Sequence, residues 1–388
     1  MEHASFSRVA VSSAVISGVA AVPVTIEVVV ERGLPMLTVI GMQSDAEMIE
    51  TREKVRCAIK SSGFTFPEAR IIVNITPKCI SKRGGKFDLA IAAAILAATG
   101  QIDFKTIDGA LLVGELMLDG TVRGGVRGFV PMAAYALDHS MLIYASSDQV
   151  VSAASRESVG TWRAVDALAD LARLDDINDV PVAIADDAPS PVLTFDDIAG
   201  YEITKSHLSY AVENHSNVLI FTRSNEDIRK LVSCMPAMMG DMDETLTRKC
   251  EAIASATQMP FSGTRPLRAP HHSATRVGML GGGNPIHPGE ITLAHGGILF
   301  LEDVQEFVPS VLNSIRPVIR ERSITITRAD GTIEMPADFV LVATAQPCPC
   351  GHYGDSRREC TCSANTIINY RERCEGAGGG IFDLVVSA

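Results

Sequence analysis

The chain has 388 residues, 46% apolar and 21% charged, a globular balance that excludes wholesale disorder and implies two cores rather than one. Acidic residues outnumber basic ones 46 to 34, and the net charge of −12 excludes a surface built throughout to wrap nucleic acid, though not a local basic patch. Nine cysteines, an odd number clustered only near the C-terminus, speak for reduced thiols or a metal site and against a disulfide scaffold.

Val9 to Val30 is almost wholly apolar and imitates a signal peptide or membrane anchor. Only Arg8 is basic upstream, Pro23 and Glu27 interrupt the run, and β-branched residues fill its second half, so a buried hairpin is expected. The chain thus reads as cytoplasmic, with no membrane partner. Strands are predicted over Val24–Val30 and Met36–Ile40, joined around Arg32-Gly33. The capping box Ser44-Asp45-Ala46-Glu47 opens a helix that ends near Gly63, and Arg70–Ile75 is a short buried strand. Phe87–Thr99 is too short and alanine-rich to span a bilayer and reads as a core helix closed by Gly100. Leu111–Leu118 with the turn Asp119-Gly120 predicts a hairpin, and alternation continues through Met141–Ala145 and Ala164–Leu174.

The acidic, proline-bearing stretch from Asp175 to Val192 is the expected linker, which sets domains at 1–175 and 193–388 around 176–192. Beyond it come a helix near Ile203–Asn214, strands Asn217–Phe221 and Gly297–Leu301, a long helix Val304–Arg322 and a strand Phe339–Ala345. The class is α/β, and a parallel-sheet nucleotide-binding architecture suits the second half.

Long phrases carry a resemblance. GLPMLTVIGMQSDAEMIETREKVRCAIKSSGFTFPEARIIVNITP, GGKFDLAIAAAILAATGQ, RPLRAPHHSATRVGMLGGGNPIHPGEITLAHGGILFLEDVQEF and QPCPCGHYGDSRRECTCS resemble, in order, the magnesium-chelatase-like AAA+ ATPases called YifB or ComM. The resemblance runs over nearly all of residues 5–373. It implies an N-terminal α+β domain similar to the proteolytic domain of Lon, of the ribosomal S5 type 2-like kind, followed by an AAA+ P-loop-type domain. It also implies ATP and Mg²⁺, hexameric rings, and, for the ComM branch, DNA branch migration during natural transformation.

A phosphate loop needs glycines to turn N–H groups inward, a lysine for the phosphate charge and a hydroxyl for Mg²⁺. The matching positions here read Thr222, Arg223, Ser224, Asn225, Glu226, Asp227, Ile228 and Arg229, with no glycine. Ile228 takes the lysine place and Arg229 the hydroxyl place, while Asn225 and Asp227 tolerate left-handed angles that preserve a turn. Carboxylates at Glu226 and Asp227 repel phosphates by about 1 kcal/mol in water-like surroundings and about 4 at an effective dielectric near 20. The acidic pair after Gly297–Leu301 is Glu302-Asp303, the reverse of the family's Asp-Glu, and Gln346 stands at the family's γ-phosphate-sensing Asn. The segment that supplies a trans-acting arginine falls on Gly378-Gly379-Gly380-Ile381, and the 388 residues end before the helical lid. Hydrolysis is therefore disfavoured. The expectation is a degenerate member: an assembly or DNA-associated module that joins homo- or hetero-oligomeric rings, with DNA unsupported by net charge. Weak ATP binding or slow hydrolysis through Glu302 and Asp303 is the alternative, and a product without selected function the blandest one.

Cys348, Cys350, Cys360 and Cys362 form two C-x-C units, read either as a structural Zn²⁺ site or as reduced loop thiols. His271-His272, after Arg265 and Arg268, reads as a loop that packs on a neighbouring subunit or a DNA backbone rather than a metal pair. Gly281-Gly282-Gly283 reads as a flexible insert loop. By the resemblance, a Lon-type serine falls at about Lys86 and its lysine at about Arg127; arginine is no base at neutral pH, which disfavours a peptidase and favours an assembly platform.

Overall fold

A computed structural model of the chain describes residues 7–42, 44–77, 87–149, 162–173, 193–328, 331–375 and 381–388. Lys86, the acidic stretch 176–192 and Gly378 to Gly380 lie outside the described residues. The chain divides into two compact units: Met1–Asp186 with Ser255–Met259 and Arg328–Gly331, and the remainder from Asp187.

In the first unit β1 (Ser7–Ser17) and β2 (Ala20–Glu31) form an antiparallel hairpin, with Ser7 opposite Val30 and Ser17 opposite Ala20. Val9, Val11 and Val15 of β1 and Val24, Ile26 and Val28 of β2 are buried, as a strand's two-residue period requires of a face turned to a core. The apolar run is therefore sheet, and no helix among the described residues is long and apolar enough to cross a membrane.

β3 (Met36–Ile40) does not pair with β2. Helix α1 (Asp45–Ser61) carries the chain over, and β4 (Arg70–Thr76) enters between them, parallel to β3 and antiparallel to β2. A parallel neighbour needs a crossover, which α1 supplies. Ser44 caps α1 through its hydroxyl, which accepts from the Glu47 N–H at 3.5 Å. Gly41, at φ +98, passes so close to Ile75 that an added Cβ would stand 2.1 Å from its carbonyl oxygen.

α2 (Asp88–Ala98) is buried from Asp88 through Leu96 and packs on β1 and β2. Its 11 residues span about 16 Å, half a bilayer core, so its apolar surface is core packing. The stretch expected as one hairpin divides: β5 (Leu111–Leu112) joins the large sheet, while β6 (Glu115–Leu116) pairs with β7 (Val122–Arg123) across the Asp119-Gly120 turn. Gly114 allows the division, since a Cβ there would meet Val122 at 2.7 Å. After α3 (Phe129–Asp138), β8 (Ile143–Ala145) and β9 (Trp162–Ala164) complete a seven-stranded sheet ordered β3-β4-β2-β1-β5-β8-β9.

The second unit opens with α4 (Glu202–Asn214), β10 (Val218–Phe221), α5 (Asn225–Met238), α6 (Glu244–Thr257, whose last residues from Ser255 count with the first unit) and β11 (Leu267–Arg268). There follow α7 (Arg276–Leu280), β12 (Gly281–Gly282), β13 (His287–Pro288), α8 (Glu290–Leu293) and β14 (Ile298–Leu301). Then come α9 (Pro309–Glu321), β15 (Ser323–Arg328), β16 (Gly331–Pro336), β17 (Val340–Ala345), α10 (Ala364–Glu375) and β18 (Leu384–Ser387). Five strands make an all-parallel sheet in the order β11-β14-β17-β10-β18. Val218, Ile220, Ile298, Phe300, Val340 and Val342 share one buried core with apolar residues of α4 and α5.

Two expectations change here. The long helix Val304–Arg322 is broken: Val304–Glu306 is a single 3-10 turn, and α9 begins only at Pro309. Proline forces the preceding residue out of the helical region, and Val308 is extended at φ −61, ψ 128. The triple glycine is also no open loop. Gly281 and Gly282 pair with Pro288 and His287, and a Cβ on Gly281, at φ +95, would lie 2.5 Å from the His287 carbonyl oxygen.

Candidate functional site

Parallel strands bring three loops to one edge: the turn from β10 into α5, the acidic pair after β14, and the exit of β17. β17 lies between the other two strands, so all three loops are neighbours.

The turn is tight and carries no glycine. Thr222 is buried and its N–H donates to the Ala345 carbonyl at 2.9 Å. Its hydroxyl accepts from the Ser224 N–H at 3.2 Å and donates to the Ser224 carbonyl at 2.9 Å. No residue from Thr222 to Arg229 has a positive φ, and Asn225 and Asp227 are already helical. The left-handed turn that these two residues permit is not used, and the alternating backbone of an anion-binding nest is absent from this stretch.

Ile228, at the lysine place, is 0% exposed and belongs to the sheet core. Arg229, one residue on, turns outward and grips Glu302 with two bonds: Nε to Oε1 at 2.5 Å and Nη2 to Oε2 at 2.6 Å. This fork raises the Arg229 pKa. The side-chain amide of Asn225 donates to Asp303 Oδ2 at 2.8 Å, and that of Gln305 to Oδ1 at 3.1 Å. Asp303 adopts φ +52, and its N–H donates to the hydroxyl of buried Thr344 at 3.1 Å. Both carboxylates at the end of β14 are thus held by side chains from α5 and its surroundings.

Glu226 and Asp227 occupy the first turn of α5, where the helix dipole favours negative charge. Lys230 reaches Asp227 at 3.3 Å and Glu226 at 3.4 Å, which raises its pKa, and the Tyr201 hydroxyl donates to Asp227 at 3.2 Å. Arg223 pairs with Asp355 at 3.0 Å, tying the turn to the cysteine-bearing loop. Gln346 follows β17 directly and is exposed.

In that loop the sulfur atoms of Cys348, Cys350, Cys360 and Cys362 all lie within 4.8 Å of one another. Cys348 is 3.3 Å from Cys350 and 3.6 Å from Cys360, and Cys350 is 3.6 Å from Cys360. A tetrahedron with Zn–S bonds of about 2.3 Å has edges of about 3.8 Å, so the cluster can hold a metal ion with slight opening. N–H groups of His352 and Thr361 donate to the Cys350 sulfur and pull its pKa down to about 5. Arg371 lies over the rings of Phe221 at 4.4 Å and Tyr353 at 5.3 Å, bracing the same loop against the end of β10.

The arginines beside the histidine pair are spent internally. Arg265 donates to the carbonyls of Gly240 and Gly296 at 2.8 and 2.7 Å, and Arg268 forks onto Glu290 at 2.7 and 2.9 Å. His271 and His272 are exposed with ring centres 4.0 Å apart. In the first unit, Arg127 is half-buried, with its pKa lowered by burial, and donates to the Ala256 carbonyl at 2.5 Å. Sequence reasoning missed the Arg229–Glu302 and Asn225–Asp303 pairs, which join residues about 75 positions apart. Only the unusual pairing of an arginine at the hydroxyl place with a glutamate at the metal place hinted at them.

The family profile described as magnesium chelatase, subunit ChlI, matches residues 194–388, and the ChlI subunit profile matches residues 26–146. YifB of Salmonella typhimurium is 34% identical over 373 residues, covering 95% of this chain and 73% of that protein. YifB of Escherichia coli is 34% identical over 374 residues with the same coverage. The competence protein ComM of Haemophilus influenzae is 33% identical over 382 residues, covering 95% of this chain and 74% of ComM.

Proposed function

Because the chain belongs to the magnesium-chelatase-like family of YifB and ComM, we propose that it is a non-hydrolysing AAA+ module of that family. It acts by assembly, alongside other ring-forming subunits, as a module associated with DNA processing; the name competence protein, carried by its relative ComM, supports a role in competence. The observation that carries this reading is the fork between Arg229 and Glu302, with Asn225 on Asp303 beside it.

ATP and Mg²⁺ come to this position through the family, and the donor set does not fit them. Where a lysine should neutralise phosphate there is a core isoleucine, Ile228. Where a hydroxyl should meet the metal there is the guanidinium of Arg229, already neutralised by Glu302. Binding phosphate would require breaking that fork and placing anionic oxygens near Glu226 and Asp227. No catalytic step is therefore routed through Glu302, Asp303 or Gln346.

The first unit, read as a Lon-type domain, serves as an assembly platform. Arg127 supports this, since a guanidinium cannot take up a proton at neutral pH. The four cysteines would hold a structural Zn²⁺, and with four thiolates as ligands no position would be left open for chemistry. The net charge of −12 favours a protein contact over autonomous DNA binding.

Calorimetric titration with ATP·Mg²⁺ tests the reading. No saturable heat up to millimolar nucleotide is expected. Micromolar binding lost in Glu302→Gln or Asp303→Asn would overturn it in favour of a weak ATPase. Sizing chromatography that shows a strict monomer, with and without DNA, would remove the assembly role.

A further inference from the structure

On the sheet face turned away from α5 the second unit holds a partly open cavity of about 290 Å³, bounded by the sheet, the 3-10 turn after β14, α9, α10 and the residues Ile381 and Phe382. Its position follows from strand alternation: Ile298, Phe300, Val340 and Val342 point into the core under α5, so Leu301 and Leu341 point the other way. Its wall is largely apolar and includes Leu301, Val304, Phe307 and Leu312. The volume is about twice the ~150 Å³ that admits one benzene ring in an engineered protein cavity, so a bicyclic ring or a medium alkyl chain fits.

Two features make it more than a packing fault. Arg316 and Arg373 line it, and no carboxylate does among the described residues. Among the described residues neither guanidinium has an acidic partner, and the inner nitrogen of Arg316, Nε, is buried without any hydrogen bond. Gln305, which also lines the cavity, donates its amide N–H to Asp303 while its Oε1 is buried and unpaired. Buried polar atoms normally find partners, so a cation without a counter-charge at an apolar cavity wants a bound anion.

We propose that this cavity binds a small amphipathic anion, an aryl or alkyl carboxylate or sulfonate whose apolar body fills the space and whose head pairs with Arg316. This site is separate from the nucleotide position, and its existence does not depend on how that position is read. Through Gln305 it adjoins Asp303, so an occupant that turns the Gln305 amide also alters the hydrogen bonding of the acidic pair.

The test uses the full chain and anilinonaphthalene sulfonate as the probe. One saturable site is expected, from which decanoate displaces the probe and decylamine, an ammonium of equal length, does not. Arg316→Met removes no internal hydrogen bond and is expected to fold; its affinity for the probe should fall roughly tenfold. Leu312→Trp, which fills the cavity, should abolish binding, with thermal unfolding followed for both variants. Displacement by decylamine as effective as by decanoate, many weak sites in place of one, or an unchanged affinity in Arg316→Met would overturn the proposal. The competition between the two ten-carbon chains needs no variant and decides the question even where a variant fails to fold.

Discussion

Arg229 and Glu302 face each other as a planar guanidinium and a carboxylate joined by two bonds of 2.5 and 2.6 Å, so the helix after β10 is latched to the end of β14 by protein alone. The two strands are not neighbours; β17 runs between them, and the latch closes over its exit. A bidentate pair fixes orientation as well as distance.

The latch is expected to matter more for occupancy than for stability. Arg229 is 65% exposed at its side chain, where solvent screens the attraction. Arg229→Ala should cost below about 1 kcal/mol in urea unfolding, and the Glu302→Ala cycle should give a coupling of about 0.2–1 kcal/mol. A loss of several kcal/mol would mean that the pair is part of the core.

Ile228 supplies the opposite case. Restoring a lysine there, Ile228→Lys, places an ammonium at a position that is 0% exposed and ringed by core residues. Destabilisation of about 3 kcal/mol or more is expected, without gain of ATP affinity. A neutral effect on the urea midpoint, with nucleotide binding, would show that the position turns toward phosphate.

Metal content should follow the four thiols. About one zinc per chain is expected in the purified protein, falling toward zero in Cys350→Ser. Arg223 and Arg371 brace the same loop, so the loss should also lower the thermal midpoint, with the far-UV spectrum nearly unchanged. Zinc unchanged by Cys350→Ser would assign the metal elsewhere.

Acid should weaken the second unit through His295. Burial pushes its pKa down to about 4, and Nδ1 accepts the Asp338 N–H at 3.1 Å. The unfolded chain protonates the same ring near 6.5, so between those values only the unfolded state takes up the proton. Stability is full above about 6.5 and is lost as pH falls toward 4, by on the order of 2–3 kcal/mol. Asp338, held low by the His215 hydrogen bond and by nearby Arg322, adds a further loss at lower pH. Unfolding of His295→Gln followed from pH 7.5 to 4.5 should show a shallower slope; an equal slope would place the acid sensitivity elsewhere.

Much of this molecule was legible in its sequence. The β1–β2 hairpin, the Ser44 cap, the buried helix α2 and the parallel strands β10, β14 and β17 all follow from local period and end signals. The parallel pairing of β3 with β4 does not, because sheet order depends on a crossover rather than on either strand's residues. The break before Pro309 is legible from the proline itself, and Val311, Ile315 and Val318, buried on one face of α9, carry the helical repeat only beyond it. At the site, the missing glycines and lysine could be read directly. That the vacated charges would pair with one another could not, since it depends on which loops the sheet brings together.

The wedge of β4 between β2 and β3 also orders events in time. The β1–β2 hairpin closes through a turn of two residues, whereas the seam where Thr25 meets Thr76 joins positions 51 apart. Loop-closure entropy favours the first by a wide margin. The hairpin is thus a template that waits with both edges open, β1 for β5 and β2 for β4, and until α1 and β4 arrive the outward N–H and C=O groups between Thr25 and Glu31 are exposed to any other strand. On a chain still being synthesised, the edge stays open for at least the time needed to make the next forty-odd residues, which makes it the point at which misassembly competes with folding.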